Sequence, residues 1–126
     1  MTVTSIWILF ILSYVAIRFN IYYTLPWFDT MMHFFGGAVS ALVVYSILNK
    51  LRIGLSRPTA AFIGVVFGVI LVGLGWEVIE YVVNYYIPTY AFDLIDTTVD
   101  LIADTVGAIV ATTFIFQHKN KHNHGN

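Results

Sequence analysis

Apolar residues fill four long runs of this 126-residue chain, and short polar segments separate the runs. Each run approaches or exceeds the roughly 20 residues that a helix needs to cross the apolar core of a bilayer. The runs predict transmembrane helices at about residues 3–23, 29–49, 58–86 and 94–117, followed by a polar, mobile tail over 118–126. Pro26 is expected to close the first helix, and Pro58 to open the third. We therefore expect an all-α integral membrane protein, a bundle of about four helices in a single domain over residues 1–126.

The composition supports lipid as the solvent for most of this surface. Hydrophobic residues make up 59 % of the chain and charged residues 10 %, whereas soluble domains carry about 25 % charged residues. Because there is no cysteine, thiolate chemistry, disulfides and cysteine-based metal sites are excluded. No small-residue cleavage site follows the first apolar run, which we interpret as a retained helix. The chain has no phosphate-binding glycine loop and no basic surface for nucleic acid.

The basic residues predict the orientation of the bundle. Five of the six Lys and Arg residues lie in the second connection or after the fourth helix, on one side of the membrane: Lys50, Arg52, Arg57, Lys119 and Lys121. Cytoplasmic segments are enriched in Lys and Arg. With four crossings, both termini share that side, so we expect both to be cytoplasmic.

The acidic residues collect on the opposite side. All seven lie toward the outer ends of their helices, although three different helices supply them: Asp29, Glu77, Glu80, Asp93, Asp96, Asp100 and Asp104. By helix rise, most fall within the outer third of an apolar core about 30 Å thick. Ionisable groups at such depth are costly and usually functional.

Residue spacing predicts which acids share a helix face. Asp96, Asp100 and Asp104 are four residues apart, so they lie along one side of the fourth helix. Asp29 and His33 on the second helix are also four apart. Small residues on the same faces let membrane helices approach closely. The polar faces are therefore expected to converge inside the bundle.

Converging carboxylates need compensation by a cation, by protonation or by a cationic ligand. Oxygen ligands with one imidazole favour Mg²⁺, Mn²⁺, Ca²⁺ or Zn²⁺ over a soft metal. The expected metal ligands are His33, Glu77, Asp96, Asp100 and Asp104. Asp29 and Glu80 are candidate general bases, and Arg18 is a candidate partner for a substrate phosphate or for the acids.

Structural alternatives exist for each of these groups. Asp29 and Asp93 would also suit helix caps, and Glu80 would also suit a position among lipid headgroups. The deeper acids and His33 would also suit an interhelical hydrogen-bond network. Three functions stay open: a metal-dependent, hydrolase-like site for an envelope lipid or lipid-linked molecule, a ligand-binding or resistance protein without turnover, and a proton- or cation-coupled carrier. The carrier is the least favoured, because the inner halves of the helices carry no acid.

Three motifs occur in order along the chain: Asp29-x-x-x-His33-Phe34 with Gly36-Gly37, Trp76-Glu77-x-x-Glu80, and Asp96-Thr97-x-x-Asp100-x-x-x-Asp104-x-x-Gly107-Ala108. Together they resemble the YjdF-type bacterial inner-membrane proteins and, more distantly, the VanZ-like proteins. The resemblance implies an envelope-associated protein of the bacterial cell membrane, often with further helices before the motifs. It implies no particular reaction and no oligomeric state.

Overall fold

The computed structural model of the chain describes residues 2–53, 57–86 and 93–123. These residues form α-helices joined by short connections, and no strand occurs within the described ranges. The helices are α1 (Thr2–Arg18), α2 (Ile21–Thr24), α3 (Trp27–Leu51), α4 (Pro58–Tyr86) and α5 (Leu94–Asn123). The predicted all-α architecture is confirmed.

Three of the described helices are long and apolar enough to cross a membrane: Trp27–Leu51, Pro58–Val83 and Leu94–His118. Helix α1 is also apolar, but it is shorter, at 17 residues. A helix of that length spans about 25 Å, less than the roughly 30 Å of a bilayer core. Among the described helices, α3, α4 and α5 are therefore the ones that are clearly long enough to span a membrane.

The first helix ends earlier than the sequence predicts. Continuous helix was expected to Tyr23, whereas α1 stops at Arg18 and the separate short helix α2 follows. The break lies at Asn20, which adopts a left-handed conformation with φ of 54°. Asparagine tolerates this conformation better than most residues do. The chain therefore turns before it reaches Pro26.

The ends of α3 and α5 also differ from the prediction. Helix α3 begins at Trp27, directly after Pro26 and two residues before the predicted start, and Asp29 is an acid of its first turn. Helix α5 continues to Asn123 instead of ending near Gln117. No proline or glycine interrupts the sequence before Gly125, and basic residues near a helix C-terminus are favourable. The last part of the predicted tail, residues 124–126, lies outside the described residues.

Helices α3 and α5 form the most extensive helix pair, and their backbones touch where they cross. A Cβ atom at Gly37 would overlap the backbone of Asp104. One at Gly107 would overlap the carbonyl oxygen of Phe34. Such close approach is typical of small residues between membrane helices. It fixes the height of Asp104 against α3.

Helix α4 runs antiparallel to α5 and packs against both α3 and α5. The rings of Phe62 and Phe116 meet toward one end, with centroids 6.2 Å apart, and Gly73 faces Asp104 toward the other. The apolar core occupies the half of the bundle nearer the connection between α3 and α4. Its buried members are Ala41, Val65, Val69 and Ala108. The other half holds the acids.

Alanine at Gly37 or Gly107 is expected to force α3 and α5 apart. Overpacking of this kind lowers the free energy of unfolding by about 1–3 kcal/mol. Gly75→Ala on α4 is the matched control, because no atom lies within 4 Å of a Cβ at that position. Thermal unfolding in detergent, followed by helical circular dichroism, measures the difference. Equal midpoints for the three variants would show that the contact between α3 and α5 does not limit stability.

Candidate metal-binding site

His33 lies in α3, roughly 9 Å along the helix from Trp27. Its side chain is buried, at 8 % exposed. Asp29 lies one turn earlier on the same helix face. The close crossing with α5 brings Asp100 and Asp104, both buried, against that face. The imidazole therefore occupies the meeting point of acids from two helices.

The two nitrogens of the His33 ring face different carboxylates. Nδ1 forms a hydrogen bond with Oδ2 of Asp104, at 3.4 Å. Nε2 lies 3.8 Å from Oδ1 of Asp29 and 3.9 Å from Oδ2 of Asp100. The Nδ1 edge of the ring therefore contacts one acid, Asp104, and the Nε2 edge faces two acids, Asp29 and Asp100.

Two sets of side chains bring ligand atoms within 4.8 Å of one another, and His33 belongs to both. The first set adds Asp29 and Asp100, and the second adds Glu77 and Glu80. These five residues are called the His33 cluster below. One imidazole among carboxylate oxygens is a ligand set suited to a hard or borderline divalent cation.

Two oxygens of the His33 cluster are buried without a hydrogen-bond partner among the described residues, Oε1 of Glu77 and Oδ1 of Asp100. Asp100 is only 2 % exposed. Leaving a buried polar atom unpaired costs about 1–3 kcal/mol, and more when the group is charged. Folded proteins satisfy nearly all such atoms with protein groups, water or ions. These two oxygens therefore point to a bound species.

Asp104 lies beside the cluster but outside both ligand sets. Its carboxylate fills a gap between α3 and α4 that two glycines leave open. Oδ1 lies 3.8 Å from the Cβ position of Gly36, and Oδ2 lies 2.7 Å from that of Gly73. Any side chain at Gly73 would therefore collide with Asp104. Within the site, Oδ2 of Asp104 also makes the hydrogen bond with Nδ1 of His33.

The remaining candidates from the sequence belong to neither ligand set. Asp96 is exposed in the first turn of α5, and Arg18 is exposed at the end of α1. No ion pair joins Arg18 to an acid within the described ranges. Asp93 caps α5, because its Oδ1 accepts a hydrogen bond from the backbone N–H of Ile95 at 2.8 Å.

A family model described as a predicted membrane protein, DUF2238, matches residues 1–121. The chain belongs to this family. The matched region contains all five residues of the His33 cluster. Helices α3 and α4 also lie entirely within the matched region.

A second comparison identifies a relative in Thermotoga maritima, an uncharacterized protein. It is 30 % identical over 103 residues, which cover 79 % of this chain and 53 % of the relative. The chain therefore spans about half the length of that relative. No solved structure gives a significant match to the chain.

Two aromatic neighbours of the site were not predicted from the sequence. The indole Nε1–H of Trp76 donates a hydrogen bond to Oε1 of Glu80 at 2.8 Å. The spacing of four residues on α4 was the available signal.

The hydroxyl of Tyr22, on α2, donates a hydrogen bond to Oγ of Ser13 at 3.5 Å. Burial raises the pKa of Tyr22, the Ser13 contact partly offsets this rise, and the charges of Asp29 and Glu80 add to it. No spacing rule relates Tyr22 to the cluster.

Proposed function

We propose that this protein binds a divalent cation at the His33 cluster and, through that cation, the phosphate of an envelope lipid or lipid-linked molecule. The supporting observation is a pair of buried oxygens, on Glu77 and Asp100, that lie beside a buried imidazole and have no hydrogen-bond partner in the part of the chain that the structure describes. Nε2 of His33, Asp29, Asp100 and Glu77 form the proposed ligand set. Asp29 changes role from the expected base to a ligand, because its oxygen is 3.8 Å from Nε2.

The choice of ion follows from the ligand chemistry. Carboxylate oxygens suit Mg²⁺, Mn²⁺ and Ca²⁺, and the added imidazole suits Mn²⁺ and Zn²⁺. A bound divalent ion reduces the net negative charge of the cluster. The ion would also attract an anionic headgroup, whereas the carboxylates alone would repel a phosphate.

Glu80 is the proposed general base. Glu77 and Glu80 both belong to the second ligand set, but the indole of Trp76 already donates a hydrogen bond to Oε1 of Glu80, whereas Oε1 of Glu77 has no partner among the described residues. A carboxylate fixed next to a cation-bound phosphate can accept a proton from an attacking water. Hydrolysis of the headgroup is therefore the reaction that this arrangement suits, and binding without turnover is the alternative.

The proposed location is the outer face of a bacterial cell membrane, with the C-terminus in the cytoplasm. The bias of Lys and Arg toward the ends of α3 and α5 distant from the acids supports this orientation. The resemblance of the three motifs to YjdF-type inner-membrane proteins supports an envelope role. At this location the cluster would face the headgroup region of the outer leaflet.

Metal analysis of the untagged, detergent-purified protein tests the proposed function. The tail histidines His118, His122 and His124 are first replaced by glutamine, so that His33 is the only imidazole. After chelation, dialysis against Mg²⁺, Mn²⁺, Ca²⁺ or Zn²⁺ should restore about one ion per chain for at least one metal. Asp100→Asn and His33→Gln should lose most of it, because each removes a ligand.

Asp96→Asn is the matched control, since it removes the same charge one turn away at an exposed position. It should retain the ion. Metal content that is equal in all of these proteins, or absent from the parent, would refute the proposed cation site.

Single cysteines test the orientation, because the chain has none of its own. Tyr86→Cys and Asn49→Cys mark the two ends of the bundle at exposed positions. A membrane-impermeant maleimide applied to intact spheroplasts should label the first variant, and should label the second only after permeabilisation. The reverse pattern would place the His33 cluster on the cytoplasmic side.

A further inference from the structure

We propose that Asp104 is a positioning residue that orients His33 for the cation and does not itself bind the ion. This inference rests on the proposed function. It changes the role that the sequence predicts for Asp104, which is that of a ligand. The starting observation is the hydrogen bond at 3.4 Å between Oδ2 of Asp104 and Nδ1 of His33.

The ring geometry explains how a carboxylate at Nδ1 would act. A neutral imidazole carries one N–H and one lone pair, and the partner of the N–H decides which nitrogen is free to bind a metal. An acceptor at Nδ1 keeps the proton there and leaves the lone pair of Nε2 toward Asp29 and Asp100, 3.8 and 3.9 Å away. Carboxylate–histidine–metal arrangements of this kind orient ligands in many metal sites.

The packing around Asp104 fixes its carboxylate in place. The acid is 6 % exposed, and its oxygens lie against Gly36 on α3 and Gly73 on α4. Residues on the two neighbouring helices therefore confine this carboxylate, and the two glycines make room for it because they have no side chain. A carboxylate confined in this way suits a fixed hydrogen-bond acceptor.

Gly73 supplies a way to displace Asp104 without changing it. A Cβ at Gly73 would lie 2.7 Å from Oδ2 of Asp104 and 3.1 Å from a methyl carbon of Leu101. The carboxylate would have to move away from its position beside His33. Gly75, two residues further along the same helix, has nothing within 4 Å of its Cβ position and provides the matched control.

The first experiment measures cation affinity in the full chain without tail histidines, using whichever of the four metals the parent retains. Outer hydrogen-bond partners of metal ligands contribute about 10- to 100-fold in affinity. Asp104→Leu should therefore weaken binding by that factor, while the protein still takes up one ion at saturation. Asp104→Asn should weaken it less, because the amide oxygen still accepts a hydrogen bond. Gly73→Ala should weaken binding as well, and Gly75→Ala should not.

The second experiment observes the ring directly, in the metal-free protein labelled with ¹⁵N-histidine. The parent should show a downfield, exchange-protected Nδ1–H proton of His33, and both Asp104→Leu and Gly73→Ala should lose it. If the parent binds no metal, the proposed function fails and this signal alone decides the role of Asp104.

Three results would overturn the positioning role. The Nδ1–H signal could be missing from the parent or unchanged in Asp104→Leu. The affinity of Asp104→Leu could equal that of the parent. The variant could also lose the ion at every concentration, as His33→Gln is expected to do, and Asp104 would then be a ligand.

Discussion

The backbones of α3 and α5 touch at Gly37 and Gly107, and this contact brings Asp100 and Asp104 beside His33. A side chain at either glycine would separate the helices and draw Asp100 and Asp104 away from His33. Helix α4 then completes the site from the other side, where Gly73 accommodates the carboxylate of Asp104. The close packing at these three glycines therefore also places the side chains of the cluster.

The bundle separates apolar packing from ionisable groups along its length. One half is an apolar core built around Val65 and Val69, and it requires no compensation for charge. The other half gathers carboxylates around a single imidazole, with buried oxygens on Glu77 and Asp100 that have no partner among the described residues. Burying such groups is unfavourable unless something pairs with them. A bound cation would supply that pairing and would make the polar half stable.

Much of this arrangement could be predicted from the sequence, because apolar run length and residue spacing are local properties. Run length and spacing were enough to predict the bounds of α4 and to predict that Asp29 and His33 lie on one face of α3. The break at Asn20 was missed, because the local sequence does not require a left-handed residue there. The different positions of Asp96 and Asp104 were also missed. The two residues lie on the same face of α5. Asp96 is exposed and Asp104 is buried against α3 and α4, because the helices cross near Asp104 and not near Asp96.

In the proposed site, one imidazole, that of His33, binds the cation together with carboxylate oxygens. X-ray absorption spectroscopy of the zinc-loaded protein, with the tail histidines replaced, tests this claim most directly. A zinc ion at this site should give scattering from one imidazole nitrogen and several oxygens at about 2.0–2.2 Å from the metal. A spectrum with oxygen ligands and no imidazole would contradict it, because the ion would then bind elsewhere among the acids.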